Sequence, residues 1–167
     1  VTHNLAVVNY IADRIAVMSK GKILQVGGPR DIYDRPADRF VADFIGETNF
    51  LEGKLLTQGK GKAKVQLDAG ATIEAGLVDG IVAKGRVTVV VRPEHARLVA
   101  DAKKATLTGV LDNIVYFGTD THYHVSLKGG VKFITRHQNN RTGEAGLKAN
   151  TTVGVVFEED AAQILRD

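Results

Sequence analysis

The sequence predicts a mainly β protein, barrel-like over most of its length and preceded by a short mixed α/β stretch. Three observations predict this. After Gly46 the apolar residues fall in short runs rich in Val, Ile and Thr, the residues that suit a pleated, half-buried surface. Glycines separate those runs at intervals close to the roughly 8–12 residues typical of barrels and sandwiches. Before Gly46 the apolar spacing is instead three and four residues, interrupted by one alternating stretch.

The elements follow in order. Leu5, Val8, Ile11 and Ala12 repeat at helical spacing, and Asn4 stands where a side chain can accept from the first free N–H groups. Ile15 and Val17, then Ile23 and Val26, alternate across Lys20-Gly21, predicting two strands joined by a tight turn. Pro29 suits the first position of a second helix, where its missing N–H costs nothing. Pro36 ends that helix by disfavouring the helical conformation at the residue before it. A third helix is expected from Ala37, burying Phe40, Val41, Phe44 and Ile45 and stopping at Gly46. Eight strands are expected beyond: 51–56, 63–67, 72–75, 86–91, 107–117, 123–127, 131–135 and 152–157. The stretches 50–99 and 106–165 share a rough plan of strand, hairpin, strand and apolar strand. They predict two small barrel-like units or one barrel built from two segments.

Composition narrows the function. The chain has 167 residues, 44% of them apolar and 25% charged, an ordinary globular balance. Its net charge of +3 divides into +1 before residue 47 and +2 after it, so no basic arm is hidden in the average. With 6% aromatic residues and no Trp, nothing supplies the stacked platform that a nucleic-acid surface wants, and no nucleic-acid partner is expected. The absence of Cys excludes disulfides, thiolate metal sites and cysteine nucleophiles. No apolar run approaches the roughly 20 residues of a spanning helix. Val1 in place of an initiator Met is expected of a piece of a longer chain.

Candidate sites are few. Gly27-Gly28-Pro29 cannot cradle phosphate, because proline has no N–H to donate. No G-x-S-x-G turn is present to seat a nucleophilic serine. His122 and His124 stand two apart in an expected strand, so both rings share a face and could hold a metal with Asp120 and His137; a polar sheet face is the alternative, since no standard ligand spacing is present. Glu158-Glu159-Asp160 reads as an acid patch or as a solvated strand end. Lys60, Lys62 and Lys64 read as phosphate contacts or as a hairpin tip. His3, between apolar residues and a helix, is placed to orient an attacking water and to hydrogen-bond a terminal phosphate.

Taken in order, these segments resemble the C-terminal part of an ABC-transporter ATPase subunit. Val1-Thr2-His3 resembles the switch-histidine loop of that family. The runs Ala12-Asp13-Arg14-Ile15-Ala16-Val17-Met18 and Gly21-Lys22-Ile23 resemble the closing strands of its nucleotide-binding domain. The segments from Gly28 to Pro36 and from Arg39 to Gly46 resemble the helical bridge of importers that carry a C-terminal regulatory extension. Val91-Arg92-Pro93-Glu94 resembles a recurring element of that extension, the transport-associated OB (TOBE) domain. The stretch Gly46 to Gly53 resembles the polyamine (spermidine/putrescine) and ferric-iron branches more than the sugar branch. Asn4 and the apolar Leu5-Ala6-Val7-Val8 depart from the polyamine pattern and look more like peptide importers.

The resemblance implies residues 1–46 as the end of a nucleotide-binding domain and 47–167 as an OB-like regulatory domain. It implies ATP and Mg2+ as cofactors of the intact subunit, none for these residues alone, and His3 as its catalytic γ-phosphate contact. A second copy of the subunit and transmembrane permease subunits are the implied partners, at the cytoplasmic face of the membrane. The phosphate loop, the acidic strand and the Ser-Gly-Gly motif would precede Val1, so no ATP hydrolysis is expected of these 167 residues. A stand-alone oxyanion-binding OB-like module is the alternative.

Overall fold

The structure, a computed structural model, describes residues 1–77, 83–139 and 146–165. The chain divides into two compact units, Val1–Thr48 with Leu165, and Asn49–Ile164.

In the first unit, α1 (Leu5–Ile11) starts where Asn4 Oδ1 accepts from the Val7 N–H at 3.2 Å. Strands β1 (Ile15–Ser19) and β2 (Lys22–Gly27) pair antiparallel. Lys20 and Gly21 between them both have positive φ, 49° and 74°, the turn whose twist matches that of the flanking strands. Helix α2 (Pro29–Asp34) opens on its proline and buries Ile32. Helix α3 (Arg39–Ile45) begins two residues later than Ala37, because Asp38 Oδ1 accepts from the Val41 N–H at 2.8 Å and caps it. Ile15, Val17, Ile32, Val41 and Ile45 form the core of the unit.

The expected burial of Phe40 and Phe44 is corrected. They are 45% and 38% exposed and stack on each other with ring centroids 5.7 Å apart. The buried stripe of α3 is Val41, Ala42 and Ile45, and it leaves the positions one residue earlier on the flank. Gly46 does end α3, but with φ 178°, in extended backbone, so no left-handed cap is used.

Among its described residues the second unit is built of strands, the loops between them and three single helical turns. Strands β3 (Asn49–Gln58), β4 (Lys62–Leu67), β5 (Thr72–Gly76) and β6 (Arg86–Val91) are followed by the short β7 (Ala96–Val99). Strands β8 (Leu107–Tyr116), β9 (Asp120–Leu127), β10 (Lys132–Gln138) and β11 (Thr152–Phe157) are followed by the short β12 (Ala162–Ile164). All eight expected strands are present, and β7 and β12 are additional. The two runs repeat one pairing scheme: β3 pairs β4 and β6, β4 pairs β5; β8 pairs β9 and β11, β9 pairs β10.

The last strand of each run then crosses to the other. β7 pairs with β11 and β12 with β6. Because β12 also meets β5, the first sheet closes into a five-stranded barrel, whereas the second stays open in the order β10-β9-β8-β11-β7. Alternation turns Val65, Val89, Leu111, Val125, Phe133 and Val155 into one shared core. Asn49, the first residue of the unit, is 5% exposed and spans the two sheets. Its side chain donates to the carbonyls of Val91 (3.2 Å) and Ile134 (2.8 Å) and accepts from the Ile134 N–H (2.7 Å).

Candidate functional site

His3 lies exposed in a bend just before α1, and the residues ahead of it form no strand. Thr2 Oγ1 accepts from the Asn4 N–H at 3.0 Å, which orders the approach to the helix.

The histidines of β9 do share a face, since Thr121, Tyr123, Val125 and Leu127 take the buried alternate positions. His137 does not join them. It pairs with Thr121 and meets Tyr123 edge-on at 5.7 Å, so it belongs to the opposite face. On the outer face His122 instead lies against Phe117 at 4.5 Å, and Arg136 reaches Glu94 (3.6 Å) and Asp120 (3.8 Å). No group of three metal-ligating side chains occurs among the described residues. Farther along this face, Asp112 is the unpaired residue of a bulge in β8. It accepts from Ser126 Oγ and from Lys132 Nζ (3.2 Å); those bonds, the serine's first, hold its carboxyl below the usual range.

A cleft of about 310 Å³ gathers residues from distant parts of the sequence. Lys62 and Glu74 reach it from the neighbouring strands β4 and β5, and Glu158, Glu159 and Asp160 from the turn between β11 and β12. Asp160 has φ 58°, a left-handed residue in that turn. Lys62 Nζ lies 2.9 Å from Glu74 Oε1 and 3.7 Å from Asp160 Oδ1. The hydrogen bond to Glu74, then the charges of Glu74 and Asp160, hold the Lys62 amine above its ordinary value. Two carboxylates, Glu74 and Asp160, thus pair with one lysine in a cleft that Glu158, Glu159, Ile73 and Phe157 also line.

The sequence signalled Lys62 and the acidic triplet separately. Their meeting, and the part played by Glu74, follows from the return of β12 to the first barrel. Lys60 stays at the β3–β4 turn, and Lys62 and Lys64 occupy the outward positions of β4.

The comparisons with known proteins fit this architecture. A crystal structure of the cytoplasmic molybdate-binding protein ModG with molybdate bound superposes with a TM-score of 0.60 at 20% identity, over 71% of this chain and 96% of that one. That likeness shows the fold alone, an OB-like barrel arrangement. Residues 89–165 match the family described as TOBE domain. The whole chain aligns with the spermidine/putrescine import ATP-binding protein PotA of Mesorhizobium japonicum at 54% identity, and with that of Ruegeria pomeroyi at 48%, covering 45% of each. The aligned part is the C-terminal part of those proteins, so the chain spans under half the length of the curated relatives it matches. The TOBE match begins within β6 and takes in the whole second run of strands with the crossing β7 and β12. No described helix is long and apolar enough to cross a membrane.

Proposed function

We propose that this chain is the C-terminal part of the ATP-binding subunit of an ABC importer for polyamines, spermidine or putrescine. Residues 1–46 close the nucleotide-binding domain, and the TOBE-bearing remainder, 47–167, serves dimerisation and regulation. The observation that carries this reading is the 54% identity over all 167 residues with a spermidine/putrescine import ATP-binding protein. The first unit supports it independently. Tyr10, Ile11, Met18 and Ile23 are each more than half exposed, an apolar surface suited to the rest of a larger domain. The relatives' names favour polyamines over ferric iron, sugar or peptide as cargo. A stand-alone binding module has no use for a switch-histidine loop and two closing strands.

In the intact subunit ATP and Mg2+ would supply the phosphoryl chemistry, and His3 would hydrogen-bond the γ-phosphate and orient the attacking water. A second ATPase subunit and membrane permeases complete the machine on the cytoplasmic side. Sequencing the gene upstream of the Val1 codon tests the reading. An in-frame phosphate loop and Ser-Gly-Gly motif are expected; a start codon directly upstream would overturn it. In the intact subunit, His3→Ala is expected to lower ATP turnover by about 100-fold or more, with ATP still bound.

A further inference from the structure

The second sheet ends in β10 on one side and β7 on the other. Among the described residues, β10 packs beside β7 and the single turn Pro93–His95 without a ladder to either. Side chains bridge that seam instead. Arg136 reaches Glu94 across it at 3.6 Å, and because both side chains are partly exposed the pair contributes little. The carboxamide of Asn49 is buried and makes three bonds there.

Two of those bonds have the pattern of a paired strand. The Ile134 N–H donates to Asn49 Oδ1 at 2.7 Å, and the Ile134 carbonyl accepts from Nδ2 at 2.8 Å, so both groups point away from β9. Antiparallel pairs alternate, so Phe133 and Thr135 bond to β9, while Lys132 and Arg136 turn their backbone groups to the same edge as Ile134. One side chain thus does at Ile134 what a neighbouring strand would do along the whole edge. The remaining Nδ2 hydrogen goes to the Val91 carbonyl at 3.2 Å. Asn49 also pairs through its backbone with Val91, the last residue of β6, so the carboxamide is held out from a rigid ladder. The residue type matters: Asp at this place would keep the acceptor and lose both donors, and Leu would lose all three.

We propose that Asn49 is the latch of this seam, and that the seam is where the second sheet opens without unfolding. Release bares the backbone groups of Lys132, Ile134 and Arg136, the row on which an added strand would pair. The charged side chains of Lys132 and Arg136 on that row guard the edge while it is open. The inference stands on the second unit alone and is independent of the importer reading.

The test is native-state hydrogen exchange of the full 167-residue chain, labelled with 15N and read amide by amide. In the parent, the Ile134 amide is expected to be protected about tenfold or more beyond those of Lys132 and Arg136, which face the same edge. In Asn49→Ala, Ile134 is expected to lose about tenfold more protection than Thr135, whose amide bonds to β9. Asn49→Asp, which sets a carboxylate against two carbonyls, is expected to lose at least as much. Arg136→Gln removes only the exposed ion pair and is expected to change Ile134 by less than about threefold. An equal loss at Ile134 and Thr135 in Asn49→Ala would show that Asn49 only adds overall stability, and would overturn the proposal. So would a parent in which Ile134 exchanges as fast as Lys132 and Arg136, a result that needs no variant to fold.

Discussion

Thr135 is fully buried on β10, and its Oγ1 finds no hydrogen-bond partner among the described residues. An orphaned buried hydroxyl costs about 1–3 kcal/mol, so Thr135→Val, of the same shape, is expected to stabilise the chain by about 1 kcal/mol in urea unfolding. Asn49 is the opposite case, since its amide is buried but fully used. Between these lies Asp68, exposed and held below the usual carboxylate range by its hydrogen bonds from Arg86 and then by that group's charge. A carboxylate with a lowered folded pKa stabilises above its unfolded value and loses that contribution as pH falls through the folded value. Asp68→Asn is therefore expected to be slightly less stable than the parent at neutral pH. The two curves should converge below about pH 4, and a gap that stays constant down to pH 2 would contradict the assignment.

At the scale of elements, the long strands β3 and β8 each bend at a bulge, between Leu55 and Thr57 and between Leu111 and Asn113. Each carries a glycine shortly before its bulge, at Gly53 and Gly109. A Cβ on Gly109 would lie 2.6 Å from the Ser126 carbonyl oxygen, backbone that cannot give way cheaply. Gly109→Ala is thus expected to destabilise by about 1–3 kcal/mol, read as a lower urea midpoint with unchanged slope. The first two helix starts were legible because Asn4 caps through a bond three residues on and Pro29 suits the first helical position, whereas the Asp38 cap that starts α3 was not read. The burial of Phe40 and Phe44 was not legible, because which side of a seven-residue helix faces inward is decided by what packs against it. Aromatic residues on the flank look the same in one dimension as aromatic residues in the core.

For the second unit as a whole, the crossing of β7 and β12 means that neither run of strands is complete alone. Removing β12 would open the barrel at both β5 and β6. Loss of β7 would strip the edge of the second sheet at β11. The unit is expected to unfold in one step, so hydrogen exchange of core amides in β4 and β9 should report the same free energy. Two separate values would show that each run folds by itself. The cleft around Lys62 depends on the same crossing. The turn that leads into β12 carries Glu158–Asp160 to Lys62 and Glu74.

What the sequence by itself determined is whatever acts over a few residues: strand and helix positions, the Lys20-Gly21 turn, the shared face of His122 and His124, and the family to which the ordered motifs from Val1 to Gly46 point. What only the tertiary structure decided is which strand completes which sheet. The short β7 and β12 carry too few residues to announce themselves by alternation, and their partners lie in the other run. Hence His137 fell on the wrong face for a metal, and Glu74 met residues more than 80 positions away. Register across a sheet depends on contacts between chain segments, and no local pattern encodes them.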